Sequence, residues 1–175
     1  MLRRMLQRFF HILALVSSLS APALARADQV MWADMGWTEI RAGNAFAMTA
    51  PPGTVYRELS GEDIFIGEFV HPDFKIGFEY GLWAKNLDGL KKGYARETAV
   101  LDGRPAIIVS GPGNGKFDCQ DNLVAAYVKD IQAGVLAPVS FQIHGCAKDA
   151  REIPIMKRMF KSLRFGRLKF PTTKP

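Results

Sequence analysis

Apolar residues in this chain recur mostly at every second position, in short runs bounded by turn-forming residues. Phe74, Ile76, Phe78 and Tyr80 share one face of a predicted strand. The preceding run, Ile64 to Val70, is β-branched and aromatic, and the His71-Pro72-Asp73 link makes the two a hairpin. Tyr94 to Leu101 and Arg104 to Ser110 flank Asp102-Gly103, a pair that favours the two-residue turn with both central residues at positive φ. Thr38 to Ala42 and Ala45 to Ala50 are joined by the turn signal Gly43-Asn44, and Pro51-Pro52-Gly53 ends them. Thr54 to Leu59 is compatible with a strand, and Ser60-Gly61-Glu62-Asp63 with a turn. Leu123 to Ile131 and Val139 to His144 read as two further strands, although Leu123 to Val128 also fits a helix. Asn86 to Lys92 fits a loop or one helical turn.

One segment has the helical period. Ile153, Met156, Phe160 and Leu163 fall at i, i+3, i+7 and i+10, while Lys157, Arg158, Lys161 and Arg164 take the other side. Asp149 with Glu152 has the form of a capping box, and Pro154 belongs in a first turn, so the helix starts between Asp149 and Ile153. Short links between strands and one helix that needs an apolar partner predict the α+β class. The architecture expected is an antiparallel β-sheet with a C-terminal amphipathic helix packed on one face.

The N-terminus follows a different pattern. Arg3, Arg4 and Arg8 precede an apolar run from Phe9 to Leu19, and Ala23 and Ala25 form a small-x-small site. This is the order of a secretory signal peptide, cut after Ala25 or, second, after Ala27. The run is shorter than the roughly 20 apolar residues a spanning helix needs. No cysteine stands at the processing site to carry a lipid. The expected organisation is a cleaved signal peptide over 1–25, one α+β domain over 26–168 and a flexible tail over 169–175, in a periplasmic or secreted protein. No later stretch is apolar enough to make the processed chain an integral membrane protein.

Export changes the reading of charge. Losing Arg3, Arg4 and Arg8 lowers the formal net charge from +6 to +3. The residue is uneven: Lys148 to Pro175 holds nine Lys/Arg against two acids. A solvated helix face and tail explain this stretch; an acidic partner or an anionic membrane surface is the alternative, and an exported protein is not expected to meet nucleic acid. Lys157, Arg158 and Lys161 remain candidates for contact with an acidic partner. The contents of 48% hydrophobic and 23% charged residues are ordinary for a globular protein.

Export also decides among the chemical sets. Cys119 and Cys146 are the only cysteines and are expected to form a disulfide, worth about 3–4 kcal/mol in the chain-entropy model. Two sharper alternatives use the same residues: Cys119 with His144 and Asp121 as a thiol catalyst, or Cys119, His144, Cys146 and His71 around zinc. Neither spacing matches a known signature, and a disulfide consumes the nucleophile. His144 falls out of phase with Phe141 and Ile143, so a surface or loop-facing histidine is expected. Gly111 to Lys116 is glycine-rich, but Phe117 stands where a phosphate loop needs Ser or Thr. The acidic sets Glu62, Asp63, Glu68 and Asp118, Asp121, Asp130 read as turn and surface residues. No catalytic residue, metal site or cofactor is assigned. Among Trp32, Trp37, Phe78, Tyr80 and Trp83, the sequence Phe78-Glu79-Tyr80-Gly81-Leu82-Trp83 offers a binding edge, with burial in the core as the alternative.

Three motifs carry a family resemblance. Phe46-Ala47-Met48-Thr49-Ala50-Pro51-Pro52-Gly53 resembles the opening strand and Pro-x-Gly of PsbP/DcrB/Mog1-like domains. Asp102-Gly103-Arg104-Pro105-Ala106 is similar to their central hairpin, and Met156 to Ser162-Leu163-Arg164-Phe165 to their closing helix before a last short strand. The resemblance covers Thr38 to Phe165. It implies a curved antiparallel β-sheet with helices on its faces and an accessory or binding role, with no catalytic residue to carry over. The function expected is therefore a non-catalytic, exported binding or accessory protein with an envelope or secreted protein as partner. The alternatives are a hydrolase using acidic residues or a metal, and an inhibitor or immunity protein against a secreted enzyme.

Overall fold

The computed structural model describes residues 36–61, 64–132 and 138–166. The signal segment, the expected tail, Trp32, Glu62 and Asp63 lie outside the described residues. Among the described residues ten strands occur in chain order: β1 (Thr38–Ala42), β2 (Phe46–Ala50), β3 (Val55–Leu59), β4 (Ile64–Val70), β5 (Phe74–Gly81), β6 (Ala95–Leu101), β7 (Arg104–Pro112), β8 (Asn122–Gln132), β9 (Val139–Ala147) and β10 (Arg164–Phe165). A 3₁₀ turn (Ala150–Glu152) leads into the helix α1 (Ile153–Lys161). Seven strands form one antiparallel sheet in the order β3-β4-β5-β9-β8-β7-β6, and three form a second in the order β1-β2-β10. Neither sheet is closed.

The predicted hairpins are present. β4 pairs with β5 from Ile64 opposite Gly81 to Val70 opposite Lys75. At the β6–β7 turn Asp102 and Gly103 both have positive φ, 49° and 76°, the geometry the Asp-Gly pair favours. Leu123 to Val128 is strand and not helix, because β8 has a partner on each side, β7 and β9. A register shift between Val128 and Gln132 coincides with Asp130 at φ 54°. Residues 86–92 form a loop.

The Asp149–Glu152 capping box is present, but it caps the 3₁₀ turn. The Arg151 amide donates to Asp149 Oδ1 (2.8 Å), and the Asp149 amide to Glu152 Oε2 (3.4 Å). α1 then starts with Pro154 in its first turn, where a missing N–H costs nothing. The helix lies against β8, β9, β6 and β2. Its buried side takes in Ile155 and Met159 besides the expected Met156 and Phe160, while Ile153 is only half-buried. The buried side is broad because α1 meets both sheets at once.

The main core lies between the two sheets and α1. Phe46 of β2 meets Phe69, Phe78 and Phe141 edge-on, at centroid distances of 5.9, 4.8 and 4.9 Å. Such pairs add about 1 kcal/mol each to the burial of their area.

Candidate functional site

The two faces of the seven-stranded sheet differ. One carries Phe69, Ile76, Phe78, Tyr80, Ile108, Val128, Phe141 and Ile143, all sealed in the core. The other is crossed by a register row running Arg57, Glu68, Gly77, His144, Ala125 and Val109. Beside it run Glu79 and Gln142 on one flank, Lys75 and Cys146 on the other.

Two loops cover the middle of this second face. Leu87 and Leu90 of one, with Cys119 of the other, bury against Val109, Leu123 and Ala125, and Tyr94 and Phe117 pack on them. The first loop is fixed by polar ties. Arg96 Nη1 donates to the carbonyls of Leu90 (3.1 Å) and Leu87 (3.5 Å). Lys85 gives its amide to Glu79 Oε2 (3.0 Å) and its ammonium to Glu79 Oε1 (3.1 Å). Trp83, two residues before Lys85, is 72% exposed on this tethered turn. The second loop is held by Gly113 N–H donating to Asp121 O (2.6 Å), Gly115 N–H to Cys119 O (2.8 Å), and the cysteine pair. Cys119 and Cys146 lie at disulfide distance, Cα atoms 5.3 Å apart. Asn114, Phe117 and Asp118 sit there at φ 49°, 52° and 57°, each costing about 1 kcal/mol, which the anchored loop ends impose.

His144 is the centre of this arrangement. Its ring stacks on Phe117 at 4.8 Å, and Gln142 Nε2 lies 3.1 Å from its Nδ1. With the amide as donor, the ring proton is on Nε2. Burial pushes the pKa down from 6.5 to about 4, opposed in part by Glu79. Of the two placements expected for this histidine, at the surface or facing a loop, the second is found, because Phe117 is folded back over the strand.

These positions define the chemistry. A disulfide at Cys119 leaves no thiolate for His144 to activate, so the Cys119–His144–Asp121 set is not assembled. His71 is elsewhere, stacked on Phe74 at 4.5 Å and beside Asp73. Among the described residues no group of three or more His, Cys, Asp and Glu is placed to hold a metal ion. Glu68 is bound by Lys75 and lies 3.8 Å from Arg57. The 111–116 segment ends β7 and then turns tightly against Cys119, where a Cβ on Gly113 would overlap the Cys119 carbonyl.

The residues expected to bind a partner separate. Phe78 and Tyr80 are 2% and 0% exposed core side chains, so the expected aromatic edge reduces to Trp83. They are buried because β2 and β10 bring Phe46 and Phe165 onto them. Lys157 and Lys161 converge on Glu97 of β6; the hydrogen bond from Lys161 holds the Glu97 carboxyl below its usual range. Arg158 lies over Trp37, 4.2 Å from its ring centroid. None of the three joins Trp83.

Sequence reasoning missed four exposed apolar side chains. Val55, Leu59, Val100 and Ile107 are 38% to 68% exposed, and the register puts all four on the second face. A signal exists for Ile107: it sits in a run apolar on both strand faces, Ala106 to Val109, where one face alone needs burial. Compared with models of protein families, with curated proteins and with solved structures, the chain matches none.

Proposed function

We propose that this chain is an exported, non-catalytic binding or accessory protein of the cell envelope, which engages a protein partner through the second face of its larger sheet. One observation carries the reading. Val55, Leu59, Val100 and Ile107 all project from that face, and Trp83 stands on a turn tied to it. Scattered exposed apolar residues are ordinary, but these stand at both edges of one sheet face, on β3 and on β6 and β7, and fit an interface that spans its loop-covered middle. The signal-peptide pattern before Ala25 and the cysteine pair at disulfide distance support an oxidising location, periplasmic or secreted. That no helix among the described residues is long and apolar enough to cross a membrane fits a chain released after cleavage. The resemblance to PsbP/DcrB/Mog1-like domains belongs to the same reading, with a sheet curved round an amphipathic α1.

The test places a photo-crosslinking residue at Ile107 in the exported full-length chain, with a control at Arg151. A discrete protein adduct from 107 alone is expected. It should vanish in Val100→Asp, whose melting temperature stays within a few degrees of the parent. No discrete adduct at 107, or one equally strong at 151, rejects the reading.

A further inference from the structure

The smaller sheet carries a feature unrelated to that face. Arg41 of β1 and Arg164 of β10 both stand opposite Ala47 of β2, so two guanidinium groups flank one methyl group in a single cross-strand row. Ala47, itself buried, puts only a methyl group between them. A recess of about 260 Å³ is lined there by Arg41, Asn44, Ala47 and Arg164. In the next row Glu39 takes both cations: Arg41 Nη2 lies 2.5 Å from Oε1, and Arg164 Nη2 bonds Oε2. One carboxylate thus neutralises two guanidiniums, and the row keeps an excess positive charge. Both arginine side chains remain 62% to 70% exposed, so the forks are within reach of a solute.

We propose that this recess binds a phosphate monoester or inorganic phosphate, with Arg41 and Arg164 as its two forks. The choice of anion follows from Glu39. A soluble carboxylate brings the same single charge that Glu39 supplies from within the chain, and gains little by displacing it. Phosphate at pH 7 carries about −1.5 to −2 and three acceptor oxygens, enough to take a bidentate fork from each side. Arginine suits that planar pairing better than lysine. Glu39 is then the built-in competitor: it neutralises the empty site and swings aside when a stronger anion enters.

The measurement is isothermal titration of the full exported chain with sodium phosphate, at constant ionic strength set with chloride. Saturable binding is expected, weakened at least tenfold in Arg41→Ala and in Arg164→Ala. Glu39→Gln should bind several-fold more tightly, because the competing charge is gone. A merely structural ion pair would not give that increase. Acetate in place of phosphate should give no saturable heat. A second arm mixes the protein with vesicles of phosphatidylcholine with and without phosphatidic acid. Retention on the phosphatidic acid vesicles assigns the phosphate to a lipid headgroup; binding of inorganic phosphate without retention assigns it to a soluble compound. If Arg164→Ala fails to fold, Arg41→Ala and Glu39→Gln decide. Absence of saturable phosphate binding, or weaker binding in Glu39→Gln, overturns the proposal.

Discussion

The imidazole of His144 lies over the backbone of Gly77, in the space a side chain there would fill. A Cβ on Gly77 would stand 2.8 Å from the ring's Cε1 and Nε2 atoms. Gly77→Ala should therefore push the ring against Phe117 and cost about 2 kcal/mol, as overpacking does. Urea denaturation measures it; an unchanged midpoint would contradict the close approach.

The same packing makes stability depend on pH. The folded pKa of His144, about 4, lies below the ordinary 6.5, because burial disfavours the cation. Its contribution is complete above pH 6.5 and is lost as pH falls toward 4, up to about 3 kcal/mol from this group. Glu79 and Asp118 oppose the shift, while Lys85 and Lys75 add to it. Denaturation curves at pH 7, 5 and 4 should show the decline, and His144→Gln should flatten it over that window. An NMR titration placing His144 near 6.5 would refute the account.

Met156 of α1 packs directly on Gly145 of β9, where a side-chain carbon would overlap its sulfur and crowd Ile76 Cγ1 at 3.1 Å. Both Gly145→Ala and Met156→Ala should destabilise, the second by about 2–5 kcal/mol through the cavity it leaves. Combined, they should cost at least 1 kcal/mol less than their sum, since the shorter side chain makes room for the methyl group. Strict additivity in a double-mutant cycle would show that the two residues do not meet.

The Tyr80 hydroxyl is buried with no hydrogen-bond partner, and burial pushes its pKa up to about 12. Tyr80→Phe removes the unpaired group and keeps the ring that meets Phe141 at 5.7 Å. It should stabilise the fold by about 1 kcal/mol. A loss of that size by thermal or urea unfolding would reveal a partner for the hydroxyl.

Cys119 and Cys146 are separated by 27 positions and tie the 113–121 loop to β9. Replacing both by serine should cost about 3.5 kcal/mol in the chain-entropy model. It should also free Phe117 to leave His144, raising the His144 pKa toward 6.5. Equal stability with and without reductant would remove the bridge from the account.

Local elements were legible along the chain because their causes are local. Alternation in Phe74 to Tyr80, the Asp102-Gly103 turn and the Asp149–Glu152 box each act over fewer than ten residues, and each is present. Less legible was which apolar side chains stay outside. Phe78 and Ile107 look equally apolar in sequence, yet Phe78 is under Phe46 and Ile107 is open to solvent. The sequence does not choose between a surface and a loop-facing His144, because the residue that covers it, Phe117, is held there by a loop with non-glycine residues at positive φ, which residue type does not announce.

By itself, then, the sequence determined the strands, the two hairpins, the helix start and the likeness of the N-terminus to an export signal, since propensity, period and capping are properties of neighbouring residues. Only the tertiary structure decided which face of the larger sheet is sealed, that Phe78 and Tyr80 are core, and that Arg41 and Arg164 stand on either side of Ala47. Those outcomes depend on contacts between segments far apart in the chain, such as Phe46 with Phe78 and β2 with β10, and no local rule carries such a contact.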